Sequence, residues 1–164
     1  MTRFTPGPET SRAFRDALGQ FATGVTVVTC MGPNGPLGMT ANSFASLSLD
    51  PPLVLWSPAR ASRRFKAFEK AEHFVVQVLA EDQYMISRDF ARNGQEFARV
   101  EWQESEHGAP VIAGCIAYFE CRRHAVYEGG DHAIIIGEVL ATVHPGGPPL
   151  IFAQGTYGSF KKHR

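Results

Sequence analysis

Residues 38–48 read Gly38-Met39-Thr40-Ala41-Asn42-Ser43-Phe44-Ala45-Ser46-Leu47-Ser48, and small polar residues alternate with apolar ones along this stretch. The alternation predicts a β-strand, which Asp50-Pro51-Pro52 ends. Strand propensity alone would not select an asparagine at position 42. Small side chains let a planar ligand approach the backbone, and Thr, Asn and Ser supply both hydrogen-bond donors and acceptors. The stretch is therefore either a ligand-binding strand or a solvated edge strand, and the residue types alone favour neither.

The segments on either side of this stretch predict a mainly β protein with short helices. Strands are expected over residues 25–30, 39–49, 53–56, 73–79, 112–127 and 133–143. Helices are expected over 10–21, 62–71 and 81–91, whereas 93–110 is polar and irregular. Long strands with few βαβ alternations favour a closed or nearly closed antiparallel barrel over a doubly wound sheet.

The first predicted helix is amphipathic. Its apolar residues recur at i, i+3, i+4 and i+7, and they are Phe14, Ala17, Leu18 and Phe21. A hydroxyl at Thr10 or Ser11 is expected to cap this helix, and Ser62 is expected to cap the second one.

The composition is that of one globular domain of 164 residues, with 44% hydrophobic and 20% charged residues. We assign the domain to residues 10–160 and a flexible N-terminus to residues 1–9. Sixteen basic residues balance sixteen acidic ones, so no overall charge attracts nucleic acid or an anionic membrane. No segment approaches the ~20 apolar residues of a membrane span, and the first residues lack the pattern of a secretory leader. These features predict a cytoplasmic protein that binds neither nucleic acid nor membrane.

The three cysteines, Cys30, Cys115 and Cys121, lie in apolar segments and form no Cys-x-x-Cys pair. Their odd number and their surroundings predict reduced thiols that pack as small hydrophobic groups. The histidines show no spacing typical of metal ligands, so no metal site is expected.

Two further segments carry candidate chemistry. Arg60-Ala61-Ser62-Arg63-Arg64 lies at the predicted start of a helix, where backbone N–H groups and the helix dipole favour an anion such as a phosphate. These arginines could instead be solvated. His132 follows Gly129-Gly130-Asp131 in a predicted hairpin turn, where its imidazole could contact a ligand or donate a proton. Gly-Gly-Asp is also ordinary turn sequence, so the histidine could simply be exposed.

Several catalytic and nucleotide-binding motifs are absent. No Gly-x-Gly-x-x-Gly joins a strand to a helix, and neither Gly-x-Ser-x-Gly nor a Walker lysine motif occurs. A nicotinamide nucleotide would therefore have to dock transiently against another cofactor, because the chain has no sign of a Rossmann site of its own.

Five segments together resemble the signature of the flavin reductase-like family. They are residues 21–29, 38–54, 74–79, 130–132 and 149–152, and the resemblance extends from about residue 14 to residue 157 in the order typical of the family. The resemblance implies a split β-barrel with a Greek-key element and a homodimer with flavin near the subunit interface. It also implies reduction of FMN or FAD by NADH or NADPH.

The resemblance also implies roles for particular residues. His132 would lie near the flavin ring where the nicotinamide stacks, and would be the catalytic residue. Thr40 to Ser43 would line the isoalloxazine and the ribityl chain, and Ser57, Arg60, Ser62 and Arg63 would hold the phosphate. The complete set of implied cofactor-binding residues is Met39, Thr40, Ala41, Asn42, Ser43, Ser46, Leu47, Ser57, Arg60, Ser62, Arg63 and Tyr157.

Many members of the family are the reductase half of a two-component monooxygenase, so the resemblance implies a transient oxygenase partner. Two other functions remain open at this point. One is an enzyme that holds flavin tightly and reduces another substrate. The other is a non-catalytic sensor that binds flavin or haem.

Overall fold

The computed structural model describes residues 3–163 and contains twelve strands and three α-helices within them. The strands are β1 (Thr23–Gly24), β2 (Thr26–Gly32), β3 (Gly35–Ala41), β4 (Ala45–Leu49), β5 (Pro52–Trp56), β6 (His73–Val78), β7 (Trp102–Glu104), β8 (Pro110–Ile112), β9 (Ala117–Gly129), β10 (His132–Val143), β11 (Leu150–Ala153) and β12 (Thr156–Ser159). The helices are α1 (Ser11–Leu18), α2 (Phe65–Lys70) and α3 (Tyr84–Arg92), and 3-10 turns lie at Pro8–Thr10, Glu81–Gln83 and Glu96–Arg99. Met1 and Thr2, which belong to the predicted flexible N-terminus, lie outside the described residues.

The main sheet has seven strands in the order β3-β2-β6-β9-β10-β5-β4, and every neighbouring pair is antiparallel. Its two edge strands, β3 and β4, are consecutive in the chain and are separated only by residues 42–44. The step from Ala41 to Ala45 can span at most about 14 Å of extended chain. The sheet must therefore curl until its edges approach each other, and this gives the predicted split barrel.

A separate three-stranded sheet, β1-β11-β12, lies beside the main sheet. Backbone hydrogen bonds fix it to the end of β6: Leu79 donates to Val25 at 3.0 Å, Val25 donates to Leu150 at 3.1 Å, and Leu150 donates to Leu79 at 3.0 Å. The small hairpin β7-β8 packs beside β6, where the buried Gln77 amide contacts Thr29 and Ile112. These links place β1, β11 and β12 next to the end of β3 at Ala41.

The core fills the barrel and the space beneath α3. Trp56 packs edge-on against Phe68 with ring centroids 5.1 Å apart, and Phe74 lies beside both. A second cluster forms around Leu79 and Phe90. The three cysteines are free and buried in these regions, and burial raises the pKa of each thiol to about 12.

The structure confirms the mainly β fold and the long hairpin of β9 and β10. It corrects the predicted strand over 39–49, which is broken at residues 42–44. The helices predicted over 62–71 and 81–91 begin later, at Phe65 and Tyr84. Residues 93–110, predicted to be irregular, contain a 3-10 turn and strand β7.

The first helix is shorter than predicted, and the prediction of its cap was wrong. Thr10 donates its hydroxyl backward to the carbonyl of Thr5 at 2.9 Å and makes no side-chain cap. The apolar stripe of α1 also remains outside the core of the single chain, since Leu18 is 58% exposed and Phe21, just beyond the helix, is 79% exposed.

Candidate functional site

A cavity of about 130 Å³ lies where β3 ends and the barrel opens. Its lining combines the predicted flavin-binding stretch with residues far away in sequence: Val25, Thr40, Ala41, Asn42, Phe152 and Tyr157. Asn42 is exposed at its rim, and its side-chain amide has no hydrogen-bond partner within residues 3–163. The cavity thus offers apolar walls beside the free amide of Asn42, which is the combination that an aromatic, hydrogen-bonding ligand requires.

Helix α3 holds two walls of this cavity together. The Thr40 hydroxyl donates to the backbone carbonyl of Ser87 at 2.7 Å, and the Ser87 hydroxyl lies 2.8 Å from the Tyr157 hydroxyl. The Tyr157 ring is packed edge-on against Tyr84 and Phe152, at 4.9 and 5.2 Å between centroids. Tyr157 therefore has a fixed orientation before any ligand arrives.

A second set of predicted residues continues the site from the break after β3. Ser57 donates its backbone N–H to the Ser43 hydroxyl at 2.9 Å, and the same hydroxyl lies 3.1 Å from the Ser57 carbonyl. The chain beyond Ser57 then pairs with the hairpin turn, because Ala59 bridges His132 and Ala133 donates to the carbonyl of Pro58 at 3.1 Å. Residues 42–43, 57–60 and 131–132 therefore form one continuous surface.

His132 is partly exposed on this surface, with 44% of its side chain accessible. Its Nδ1 lies 2.8 Å from the Asp131 carboxylate, which is 94% exposed. The hydrogen bond and the charge of His132 lower the pKa of Asp131. Because Nδ1 is engaged, Nε2 is the ring nitrogen that can meet a ligand.

Arg60 lies against the same turn. Its guanidinium donates to Glu128 at 2.9 Å and to the His132 carbonyl at 3.3 Å, and it stacks over the Phe65 ring at 5.4 Å. Glu128 is 89% exposed, so this ion pair is a weak surface contact that an incoming anion can replace.

The other predicted phosphate ligands are placed differently. The Ser62 hydroxyl accepts the backbone N–H of Arg64 at 3.3 Å. Arg63 is exposed and lines a separate cavity beside the turn between β2 and β3, with Pro33, Asn34 and Gln95 among its neighbours. The structure therefore brings Arg60, but not Arg63, next to His132.

Three further predicted cofactor-binding residues, Met39, Ser46 and Leu47, lie neither in the cavity lining nor on the surface around His132. Met39 is only 7% exposed and packs in the core with Val28 and Trp56, because neighbouring side chains on a strand face opposite sides. Ser46 and Leu47 lie on the exposed edge strand β4, where the pairing with β5 is irregular.

The prediction from sequence missed Val25, Ser87 and Phe152. Ser87 lies in a segment whose pattern indicates only a helix, so nothing local marks it. Val25 and Phe152 each belong to one of the signature segments, and that was the available signal.

Comparison with known proteins identifies the family and the fold. Residues 18–161 match the model of the flavin reductase like domain. The chain belongs to the flavin reductase-like family. It is 56% identical to the FMN reductase (NADH) SmoA of Agrobacterium fabrum, over 97% of this chain and 91% of that protein. It is 43% identical to the reductase subunit HsaB of a flavin-dependent monooxygenase of Mycobacterium tuberculosis, over 89% and 80% of the two chains.

Solved structures give the same result. The NADH:FAD oxidoreductase SgcE6 of Streptomyces globisporus, in complex with NAD and FAD fragments, superposes with a TM-score of 0.89 at 40% identity. That alignment covers 97% of this chain and 98% of the other. The comparisons confirm the split-barrel fold and the predicted enzyme class, an NAD(P)H:flavin oxidoreductase.

Proposed function

We propose that this flavin reductase binds FMN or FAD at the cavity beside Thr40, accepts hydride from NADH or NADPH there, and releases the reduced flavin to a separate monooxygenase. One observation carries the proposal: Thr40, Ala41, Asn42 and Tyr157, predicted from distant parts of the sequence, line a single cavity. Ser43, Ser57 and His132 extend the site from this cavity, and the nicotinamide would dock along them.

The residues present fit a flavin. Ala41 and Val25 leave an apolar wall without bulky groups, while the free Asn42 amide supplies both a donor and an acceptor. When bound, the flavin would supply the hydride acceptor of the reaction. The chain itself contributes binding and orientation. Holding two reactants in a productive geometry can lower the activation free energy by about 7 kcal/mol or more.

His132 would act at the nicotinamide end of this surface. Asp131 holds Nδ1 of the imidazole, so Nε2 is directed by the ring orientation that this hydrogen bond sets. From that position the ring can orient the nicotinamide or supply a proton.

Arg60 would hold the flavin phosphate, together with Ser57 and Ser62. Its guanidinium is already oriented by Phe65 and by the His132 carbonyl, so a phosphate would replace only the exposed Glu128. Arg63 stays a predicted phosphate ligand.

An oxygenase partner is supported by the relatives, since HsaB is the reductase subunit of a flavin-dependent monooxygenase. The partnership would be transient, and the diffusing reduced flavin would be the link between the two proteins. The free, buried cysteines are compatible with the reducing environment of the cytoplasm, where we place the protein.

A homodimer is supported by apolar side chains that the single chain leaves in solvent. They lie on the α1 stripe and on β4, and include Leu18 at 58%, Phe21 at 79% and Leu49 at 95% exposure. Sedimentation of the wild-type protein should give twice the mass of the chain. Leu18→Asp combined with Leu49→Asp should shift the protein toward monomer, and a monomeric wild type would contradict the assembly.

The decisive experiment is anaerobic incubation of the purified protein with NADH or NADPH and with added FMN or FAD. We expect catalytic loss of the visible absorption of the flavin, and the four combinations rank both cosubstrates. Asn42→Ala should weaken flavin binding, whereas Asn34→Ala, in the turn between β2 and β3, should not. Flavin binding without bleaching would indicate a carrier or sensor. Retained flavin without activity on added flavin would indicate a prosthetic group.

A further inference from the structure

Ser87 is fully buried on α3 and contacts both walls of the candidate flavin cavity. Through its backbone carbonyl it accepts the Thr40 hydroxyl, and through its side chain it meets the Tyr157 hydroxyl. Thr40 lies on an edge strand of the main sheet, and Tyr157 lies on β12 of the smaller sheet. No backbone pairing joins these two strands within residues 3–163. Ser87 therefore spans the opening between the two sheets.

Hydrogen bonds near Ser87 hold helix α3 in place against β3. Arg64 donates to the carbonyls of Phe90 and Ala91 in the last turn of α3 at 2.6 and 3.0 Å, and to the carbonyl of Gly38 at 3.0 Å. Helix α3 is thus fastened to β3 at Gly38 and again at Thr40. A serine hydroxyl on such a helix has little freedom to follow a moving partner.

We propose that Ser87 is a positioning residue for flavin binding: it fixes the Tyr157 ring as a preformed wall of the cavity and sets the distance from that wall to Thr40. This inference rests on the proposed function. A preformed wall lowers the cost of ordering the site when the ligand binds, so Ser87 acts on flavin affinity and not on the hydride-transfer step.

The inference makes a specific statement about Tyr157. Tyr84 and Phe152 restrict the ring by packing, but only the Ser87 hydroxyl holds the phenol oxygen among the described residues. Without that bond the phenol oxygen loses its partner and the ring can turn within its apolar contacts. The same loss should follow from removing either hydroxyl.

The test is a double-mutant cycle on the dissociation constant of FMN, measured by flavin fluorescence in the absence of nicotinamide. Ser87→Ala and Tyr157→Phe should each raise the Kd about tenfold, as expected for a hydrogen bond whose partner is left unsatisfied. The double variant should be no weaker than either single variant, because both changes remove one interaction. In Ser87→Ala, the kcat at saturating flavin should change little while the Kd rises. Ser105→Ala, in the loop between β7 and β8, is the serine control and should match the Kd of wild type.

The outcomes separate the possibilities. If Ser87 only supports the fold, Ser87→Ala lowers the urea midpoint while the Kd of FMN stays unchanged, and the inference is overturned. Effects that multiply in the double variant would also overturn it. If Ser87→Ala does not fold, Tyr157→Phe on the outer strand carries the test, and an unchanged Kd there refutes the role. A wild-type protein that neither binds nor reduces flavin would instead refute the proposed function itself.

Discussion

At the scale of single residues, the site depends on side chains that are oriented before a ligand binds. His132 is held by Asp131, Arg60 by Phe65 and the hairpin turn, and Tyr157 by Ser87. Measurements of turnover and of flavin affinity can separate the roles of these residues, because only some of them would contact the reacting rings.

His132→Ala should lower kcat by about a hundredfold, the lower range for a positioned proton donor, while the Kd of flavin changes little. Steady-state turnover and flavin titration of the same preparation provide the two values. His124→Ala is the matched control, since that histidine is exposed on β9. Unchanged turnover in His132→Ala would remove this residue from the site.

Arg60→Gln should weaken the binding of FMN about tenfold and leave riboflavin binding nearly unchanged, because only FMN carries the phosphate that a charged hydrogen bond would hold. Fluorescence titration with both flavins measures the difference. Arg63→Gln provides the comparison from the neighbouring cavity. If Arg60→Gln and Arg63→Gln weaken the binding of FMN by the same factor, both arginines contact the phosphate. If Arg60→Gln weakens the binding of FMN and of riboflavin by the same factor, Arg60 does not contact the phosphate.

At the scale of elements, the site depends on the close approach of α3 to β3. Gly38 donates its backbone N–H to Gly94 at 2.8 Å, and a Cβ added at Gly38 would lie 2.5 Å from the Phe90 ring. Phe90 is fully buried, so the ring has no free space into which it can move. The absence of a side chain at Gly38 therefore lets Arg64 and Ser87 reach the strand.

Gly38→Ala should lower the free energy of unfolding by about 1–3 kcal/mol, the usual cost of adding a methyl group to a packed core. Urea unfolding monitored by circular dichroism measures it. Gly24→Ala is the matched control, because a Cβ there would meet no atom within 4 Å. A Gly38→Ala protein as stable as wild type would show that α3 can shift away from β3 without cost.

At the scale of the whole molecule, surface ion pairs contribute to the dependence of stability on acid pH. The pKa values of Glu69, Asp131 and Glu138 are lowered mainly by side-chain hydrogen bonds to Lys66, His132 and Arg122, respectively. A carboxylate whose pKa is lower in the folded state stabilises that state above its unfolded pKa and loses this effect as the pH falls through the folded pKa. All three groups are at the surface, so each contribution is small.

The urea midpoint should therefore be insensitive to these carboxylates above about pH 5 and should fall as the pH drops below about 4. Midpoints measured across this range test the direction. Glu138→Gln should show a slightly shallower fall, because it removes one of the shifted groups. A midpoint that rises between about pH 5 and pH 3 would contradict the assignment.

Within residues 3–163, none of the helices has the length and apolar character of a membrane crossing. The same residues contain no group of three His, Cys, Asp or Glu side chains that could hold a metal ion. Among the exposed apolar side chains of these residues, those on α1 and β4 support the proposed pairing of two subunits.

The sequence by itself determined the elements whose signals are local. Alternation of side chains specified the long strands β9 and β10, and Gly129-Gly130-Asp131 specified the turn between them, because period and backbone freedom depend only on neighbouring residues. The signature residues Thr40 to Asn42 also identified one wall of the cavity. Local rules failed at residues 42–44, where the predicted continuous strand breaks to connect the two edges of the barrel.

Only the tertiary structure decided which distant residues meet. Ser87 and Tyr157 are 70 positions apart and touch because α3 packs under β3 while β12 pairs with β11. The exposure of the α1 stripe could not be predicted either, because helical periodicity indicates an apolar face but not which residues, if any, pack against it. A side chain's neighbours in sequence set its local geometry, but the residues it contacts depend on how the whole chain fills the space around it.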